Sequence, residues 1–484
     1  MAGGHLRIAI VGGGFAGIGC AIRLKQEGIH DFVVFERADD VGGTWRDNSY
    51  PGCACDVPSL LYSYSFAPEP EWPHAFSRQP EIWDYLRRCV RRFGITPHLR
   101  LGAEVNYAAW NREQRRWDLD TTAGSWTADV LVSAAGPLSE PAVPALAGLE
   151  AFTGTAFHSA RWRHDHDLSG RRVAVVGTGA SAVQFIPEIQ PLVTRLSVFQ
   201  RTPPWVLPRR DRRISSVERA LYRRAPTTQK AARAGIYWGR ELLVVGLRHP
   251  RLQGWQQALA RHHLARNVPD PGLRAALTPD YVLGCKRILL SSSYLPALTK
   301  GNVEVVTDEI ARVEPDAILT RNGSRHPVDT IIFGTGFHVT DPPVADRIRG
   351  RDGRTLAETW AGSPAAYLGT TVAGFPNLFL LLGPNTGLGH NSVLFMLEAQ
   401  LEHVLAVLGH LQGCGVAAVE PAAERQRAYL AEVDRKMAGT VWSAGGCRSW
   451  YQDPTGRVAA LWPSYTWPFR RRLRRLEPAD YVPV

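Results

Sequence analysis

A glycine-rich turn set between a short apolar run and a helical pattern occurs twice in this chain, and that repetition most constrains what it can fold into. The first copy runs Leu6-Arg-Ile-Ala-Ile-Val11, then Gly12-Gly-Gly14-Phe-Ala-Gly17, then a helical pattern through Ala21, Ile22 and Leu24. Gly12 permits the tight turn, Gly14 lets a pyrophosphate approach the backbone at a helix N-terminus, and Gly17 lets helix and strand pack closely. A second strand, Phe32-Val-Val-Phe35, ends at Glu36, about 20 residues beyond Gly17, where an acid accepts hydrogen bonds from a ribose hydroxyl. The second copy is Arg172-Val-Ala-Val-Val176, then Gly177-Thr-Gly179-Ala-Ser181-Ala182, with Leu196-Ser-Val-Phe199 as the next strand. Arg201 stands as far beyond Ala182 as Glu36 stands beyond Gly17, and a guanidinium there suits a 2′-phosphate. The first site therefore reads as one for FAD and the second as one for NADPH. A lone glycine turn is often only a turn; two, each with strand, helix and a charge at the same offset, point to hydride passing between nicotinamide and flavin. The expected fold class is α/β, with two Rossmann-like dinucleotide-binding domains.

Length and composition agree with this. A chain of 484 residues is too long for one ordinary domain, and 45% hydrophobic with 21% charged residues is a globular balance. No segment reads as a membrane span, and no metal site is expected, because the alternate polar residues of His164-Asp-His166-Asp lack a partner set of ligands. The apolar start LRIAIV runs straight into glycines and reads as a strand, so a cytoplasmic location is the default. Seven scattered cysteines suggest no disulfide framework and a reducing compartment. The net charge of +11 is spread along the chain, with one dense run at Arg470-Arg-Arg-Leu-Arg-Arg475 expected on the surface; nucleic acid is not the expected partner.

Two longer patterns narrow the reaction. Phe152-Thr-Gly154-Thr-Ala-Phe-His158-Ser-Ala-Arg-Trp162 resembles the FxGxxxHxxxW fingerprint of type I Baeyer–Villiger monooxygenases, with Arg163 standing where that pattern has Pro or Asp. Gly42-Gly43-Thr44-Trp45-Arg-Asp-Asn-Ser-Tyr50-Pro51-Gly52-Cys-Ala-Cys-Asp56 matches every specified position of a second pattern of the same family, in which Cys53 and Cys55 fall on unspecified positions. The resemblance continues through Gly284-Cys-Lys286-Arg287, Asp329 to Phe337, Gly383 to Asn391 and Ser449-Trp450-Tyr451.

The resemblance implies an NADPH- and O2-dependent flavoprotein that forms a C4a-peroxyflavin and inserts oxygen into a ketone, giving an ester or lactone. A peroxide kept as an anion needs a fixed cation that cannot protonate it, which is arginine chemistry. The resemblance places that arginine at Arg287, with Asp56 orienting it. It assigns Lys286, Arg201 and Thr202 to the NADPH phosphate, beside Gly177, Gly179 and Ser181 of the second turn, and Trp450 to the nicotinamide side. Gly43, Thr44 and Trp45 fall to the flavin side with Gly12, Gly14, Gly17 and Glu36. His158 reads as a linker group touching cofactor. Heteroatom oxygenation, or a non-oxygenating reductase, are the competing functions. The implied organisation is an FAD-binding domain over 1–148, an NADPH-binding domain over 152–340 and a second FAD-binding part over 341–484. Within the middle domain a helical insertion over about 211–283 is expected, its apolar spacing marked by Val217, Ala220, Leu221, Leu242, Leu243 and Leu247. A helix is also expected from near Asn391, and another over about 421–438.

Overall fold

The computed structural model describes residues 4–484. Along the chain, β1 (His5–Val11), β2 (Phe32–Glu36), β3 (Leu99–Leu101), β4 (Val105–Asn111), β5 (Arg116–Thr121) and β6 (Gly124–Ser133) come first. Then follow β7 (Thr155–His158), β8 (Arg172–Val176), β9 (Arg195–Phe199), the short β10 (Val206–Leu207) and β11 (Leu289–Leu290), and β12 (Val303–Val306). A three-stranded ribbon, β13 (Ile310–Glu314), β14 (Ala317–Thr320) and β15 (Arg325–Pro327), leads to β16 (Thr330–Phe333), and β17 (Ile348–Arg349) and β18 (Leu378–Leu380) close the series described here.

These strands make two main sheets. The first has the order β17-β4-β5-β6-β1-β2-β3, with β18 added alongside β6; the second is β12-β9-β8-β16-β7 and is parallel throughout. Parallel strands lie buried on both faces, which is why the runs carry unbroken apolar residues rather than alternation. Ile10 sits between Val34 and Val132 in one sheet, and Val175 between Val198 and Ile332 in the other. The chain after residue 340 returns to the first sheet, where Phe379 pairs with Val132. The two crossings between sheets run side by side: Ala142 N–H donates to Gly336 O at 2.9 Å, and His338 N–H to Glu140 O at 3.0 Å.

Helix α1 (Phe15–Gln26) follows β1, α2 (Thr44–Asp47) is a single turn, and α3 (Gln79–Arg92) covers the first sheet. Helix α4 (Ala180–Ile189) follows β8. The insertion is helical, with α5 (Ser216–Arg224), α6 (Pro226–Glu241), α7 (Leu243–Arg248), α8 (Gly254–Asn267) and α9 (Pro271–Ala276). Its apolar spacing misleads, however. Val217 is 75% exposed and Leu242 70%, while Leu247 alone of the six marked positions is buried. The side of α6 that faces the first sheet's domain mixes Tyr237, which stacks on Phe395 with centroids 4.4 Å apart, with Gln229, Arg233 and Arg240, which donate to main-chain carbonyls.

The helix expected near Asn391 starts at Leu394 and runs to Cys414. By length and composition it is apolar enough to cross a membrane, which the sequence reading missed, but it is mostly buried and packs against α1 as a core helix. Another helix spans Ala423–Met437.

Candidate active site

Both glycine turns obey the same steric rule. Gly12 has φ +109°, and a Cβ there would lie 2.5 Å from Ala134 O; Gly177 has φ +105°, and its Cβ would lie 2.6 Å from Gly334 O. A Cβ on Gly17 would meet Gly12 O at 1.9 Å, so helix and turn are in contact there. Helices α1 and α4 start at Gly14 and Gly179 with no side-chain cap and no acid in the first turn. Their first N–H groups are therefore open to an anion, and this fits a dinucleotide pyrophosphate at each turn. Gly14 and Gly43 approach so closely that a Cβ on Gly43 would lie 3.1 Å from Gly14 Cα. Thr44 and Trp45 follow in α2, and Trp45 Nε1–H donates to Tyr62 Oη at 3.0 Å.

Glu36 is buried at the end of β2 and accepts from Gly13 N–H at 2.7 Å, Ala38 N–H at 3.0 Å and Arg46 Nη1–H at 3.0 Å. A carboxylate offers about four lone-pair sites, so three are engaged in shaping the turn and one remains for a ribose hydroxyl. At the second turn, Thr178 Oγ1–H donates to Thr202 O at 3.2 Å, and Ser181 lies in the first turn of α4. Arg201 is exposed, and neither it nor Lys286 forms an ion pair with a carboxylate among the described residues. Burial lowers the Lys286 pKa, and the nearby positive charge of Arg201 lowers it further. Two cations held close together without a carboxylate between them fit a phosphate.

The second turn is tied to the YPGCACD loop by one side chain. Gln184 on α4 accepts from Tyr50 Oη–H at 3.1 Å and Ala54 N–H at 3.2 Å, and donates to Ala54 O at 2.9 Å. Cys53 and Cys55 are buried thiols; burial pushes Cys53 up to about 12 and Cys55 higher still, so neither is a thiolate. Asp56 instead points at Arg287. Arg287 Nε–H and Nη2–H donate to the Asp56 carboxylate at 2.9 and 2.8 Å, and Nη1–H donates to Leu388 O at 2.9 Å. Burial alone would raise the Asp56 pKa, but the Arg287 guanidinium overcomes it and holds the carboxyl below its usual range, aided by Arg240 and Arg209. Burial would lower the Arg287 pKa; Asp56 overcomes that too and raises it, so the pair stays ionised.

The segment carrying Trp450 lies against this pair. Trp450 is half exposed and packs on Tyr451 with centroids 4.3 Å apart, while Tyr451 is buried, its phenol pushed up to about 12 by burial with Arg287 offsetting part of the shift. Cys285 and Cys447 form a disulfide with Cα atoms 6.1 Å apart, linking the Lys286-Arg287 turn to the Trp450 segment. The scattered cysteines suggested no disulfide framework, and one pair is bridged all the same: 162 residues separate the two, and only the fold brings them together. His158 is buried at the end of β7, its Nδ1 accepting from Ala160 N–H at 3.1 Å and its Nε2 without a partner; burial lowers its pKa to about 4. Arg163, at the departure from the fingerprint, is exposed and forks onto Asp165 at 2.9 and 2.7 Å, away from Arg287. His164 bonds Ser49 Oγ and His166 bonds Thr330 Oγ1. Sequence reasoning missed Gln184, Leu388, Arg240 and the disulfide.

Residues 5–228 match the family described as flavin-binding monooxygenase-like. A "Baeyer-Villiger monooxygenase" of Streptomyces coelicolor is 54% identical over 480 residues, covering 99% of this chain and 92% of the relative. Another of that name, from Pseudomonas aeruginosa, is 49% identical with coverage of 99% and 91%. Among solved structures, an oxidized steroid monooxygenase bound to NADP superposes with a TM-score of 0.87 at 31% identity, covering 99% of both chains. A closed cyclohexanone monooxygenase does so with a TM-score of 0.88 at 29% identity, covering 100% of this chain and 99% of the other. With such identity sustained over nearly its whole length, and the same fold in solved monooxygenases, the chain belongs to the Baeyer–Villiger monooxygenases.

Proposed function

We propose that the protein is an NADPH- and O2-dependent FAD monooxygenase that inserts one oxygen atom beside a ketone carbonyl to give an ester or lactone, with Arg287 as its fixed cation and Asp56 as the group that orients it. The observation carrying this is the two-pronged Arg287–Asp56 fork, closed on its third side by Leu388 O, in a loop that Gln184 ties to the helix after the second dinucleotide turn. Bound at the first turn, FAD would supply the redox chemistry that links NADPH to O2.

The chain's own residues do the rest. The uncapped N-termini of α1 and α4 bind pyrophosphates, Glu36 binds a ribose hydroxyl, and Arg201 and Lys286 with Thr202 bind the 2′-phosphate. Arg287 stabilises an anion on the reacting oxygen and, having no proton to lose at working pH, does not quench it. Asp56 fixes the plane of the guanidinium and keeps it charged. His158, neutral above about pH 4, is a buried imidazole beside the Gly336 backbone, where the chain passes between the domains over 1–148 and 152–340. Trp450 shields the nicotinamide side, and the NADPH requirement suits a cytoplasmic setting.

Arg287→Ala should still allow NADPH to reduce FAD at near the parental rate, while ester formation falls by at least about a hundredfold, as for loss of a group that stabilises transition-state charge. Product analysis beside anaerobic flavin reduction reads both steps. Ester formation within about threefold of the parent protein removes Arg287 from its assigned role.

A further inference from the structure

Arg287 is held from two sides, by the Asp56 carboxylate and by Leu388 O. Both holders are themselves gripped by consecutive residues at the last turn of α6. Arg240 Nη2–H donates to the main-chain O of Asp56 at 3.2 Å. Glu241, 1% exposed, accepts from Asn391 Nδ2–H at 2.8 Å and lies 3.2 Å from His390 Nε2; its other oxygen accepts from Thr466 N–H at 2.9 Å. His390 and Asn391 end the glycine loop that presents Leu388. Helix α6 is fixed to the same domain one and two turns earlier. Tyr237 Oη bonds Thr466 Oγ1 at 2.8 Å, and Arg233 donates to Leu60 O at 2.6 Å and Ser63 O at 3.0 Å. Residues 233, 237, 240 and 241 share one helical face, so the insertion meets the site through four polar anchors.

Arg240 is the costly member. Its guanidinium is largely removed from water and its Nε has no partner; no carboxylate stands within ion-pairing distance among the described residues, and the more distant Asp56 charge offsets only part of the burial, which leaves its pKa lowered. A cation so placed is unfavourable for stability alone, whereas main-chain contact with Asp56 gives it leverage over where that carboxylate stands. We propose that Arg240 and Glu241 are positioning residues for Arg287, Arg240 acting through Asp56 and Glu241 through the Leu388–Asn391 loop. The inference rests on the assignment of Arg287 above. The insertion then sets the geometry of the fixed cation from outside, and a small displacement of that cation lowers the rate of oxygen insertion without touching hydride transfer.

Full-length Arg240→Met, Arg240→Lys and Glu241→Gln proteins loaded with FAD test this. Arg240→Met should lower kcat for ester formation about tenfold or more, with KM for the ketone and the rate of flavin reduction each within about threefold; Arg240→Lys should recover most of the loss. Hydrogen exchange on the proteins stripped of FAD gives a readout apart from turnover. Arg240→Met should speed exchange over 52–58 but not 386–392, and Glu241→Gln the reverse. Should Arg240→Met not accumulate as folded protein, Arg240→Gln carries the same comparison. Parental kcat together with parental exchange in Arg240→Met and Glu241→Gln overturns the inference. Asp56→Ala and Arg287→Ala run alongside: if these retain ester formation, the assignment of Arg287 itself has failed, whereas if they lose it and the α6 variants do not, only the positioning role falls.

Discussion

Arg287 receives something different from each segment that reaches it: a countercharge from Asp56, a main-chain acceptor from Leu388, and a buried phenol alongside from Tyr451. The second charged cluster, Arg201 with Lys286, has no carboxylate in direct contact, only the more distant charge of Asp280. Arg201→Ala should therefore weaken NADPH binding by about 10- to 100-fold, the worth of a charge-assisted contact of about 1.5–3 kcal/mol, and change NADH binding little. Equal losses for both nucleotides in steady-state titrations would show that the phosphate is read elsewhere. Asp56 and Arg287 were legible in the sequence because each is a charged residue at a specified place in a long pattern. Leu388 was not, since its part is played by a carbonyl that every residue possesses, and Arg240 is one of 56 basic residues with no motif around it. Gln184 escaped for a similar reason: a single amide has no pattern of its own, and its partners lie 130 and 134 residues away.

At the scale of elements, the turns were read well because steric demand shows directly as glycine. Gly17→Ala places a methyl group 1.9 Å from Gly12 O, which neither α1 nor β1 can relieve without moving. The variant should lose about 1–3 kcal/mol of stability and most of its FAD, measured by denaturant unfolding and by the flavin-to-protein absorbance ratio. Retention of full flavin content would mean the turn is softer than its packing indicates. The insertion was identified as helical but turned inside out: Val217, Leu221 and Leu242 mark a solvent face, while Arg233, Tyr237 and Arg240 face the protein. Hydrophobic periodicity assumes that the inner side of a helix meets apolar side chains throughout, and here Arg233 and Arg240 meet backbone carbonyls while only Tyr237 stacks on a ring. The Cys285–Cys447 link belongs to this scale as well, joining two segments that no sequence spacing connects. Peptide mapping after alkylation without reductant should find that pair bridged and Cys20, Cys53, Cys55, Cys89 and Cys414 free; alkylation of Cys447 in the native, unreduced protein would contradict it.

At the scale of the whole molecule, two buried imidazoles contribute to its response to acid. Burial lowers both His158 and His403 to about 4 from an ordinary 6.5. Because the unfolded chain then binds protons first, stability is complete above pH 6.5 and is lost as the pH falls toward 4, by up to about 1.4 kcal/mol per pH unit for each group. Replacing His403, whose Nε2 bonds Tyr481 Oη at 2.7 Å, with Gln should flatten that slope by one group's share in urea titrations between pH 6.5 and 5; an unchanged slope would place the acid sensitivity elsewhere. The two sheets are joined twice by chain and by several side-chain bonds, and among these the Gln184 amide has a mechanical meaning. Gln184 bonds both the N–H and the C=O of Ala54 and the hydroxyl of Tyr50, so the first degrees of rotation between the sheets strain all three bonds together. Such a joint behaves as a detent rather than a bearing: it resists small excursions stiffly and, once its three bonds have parted, resists larger ones hardly at all.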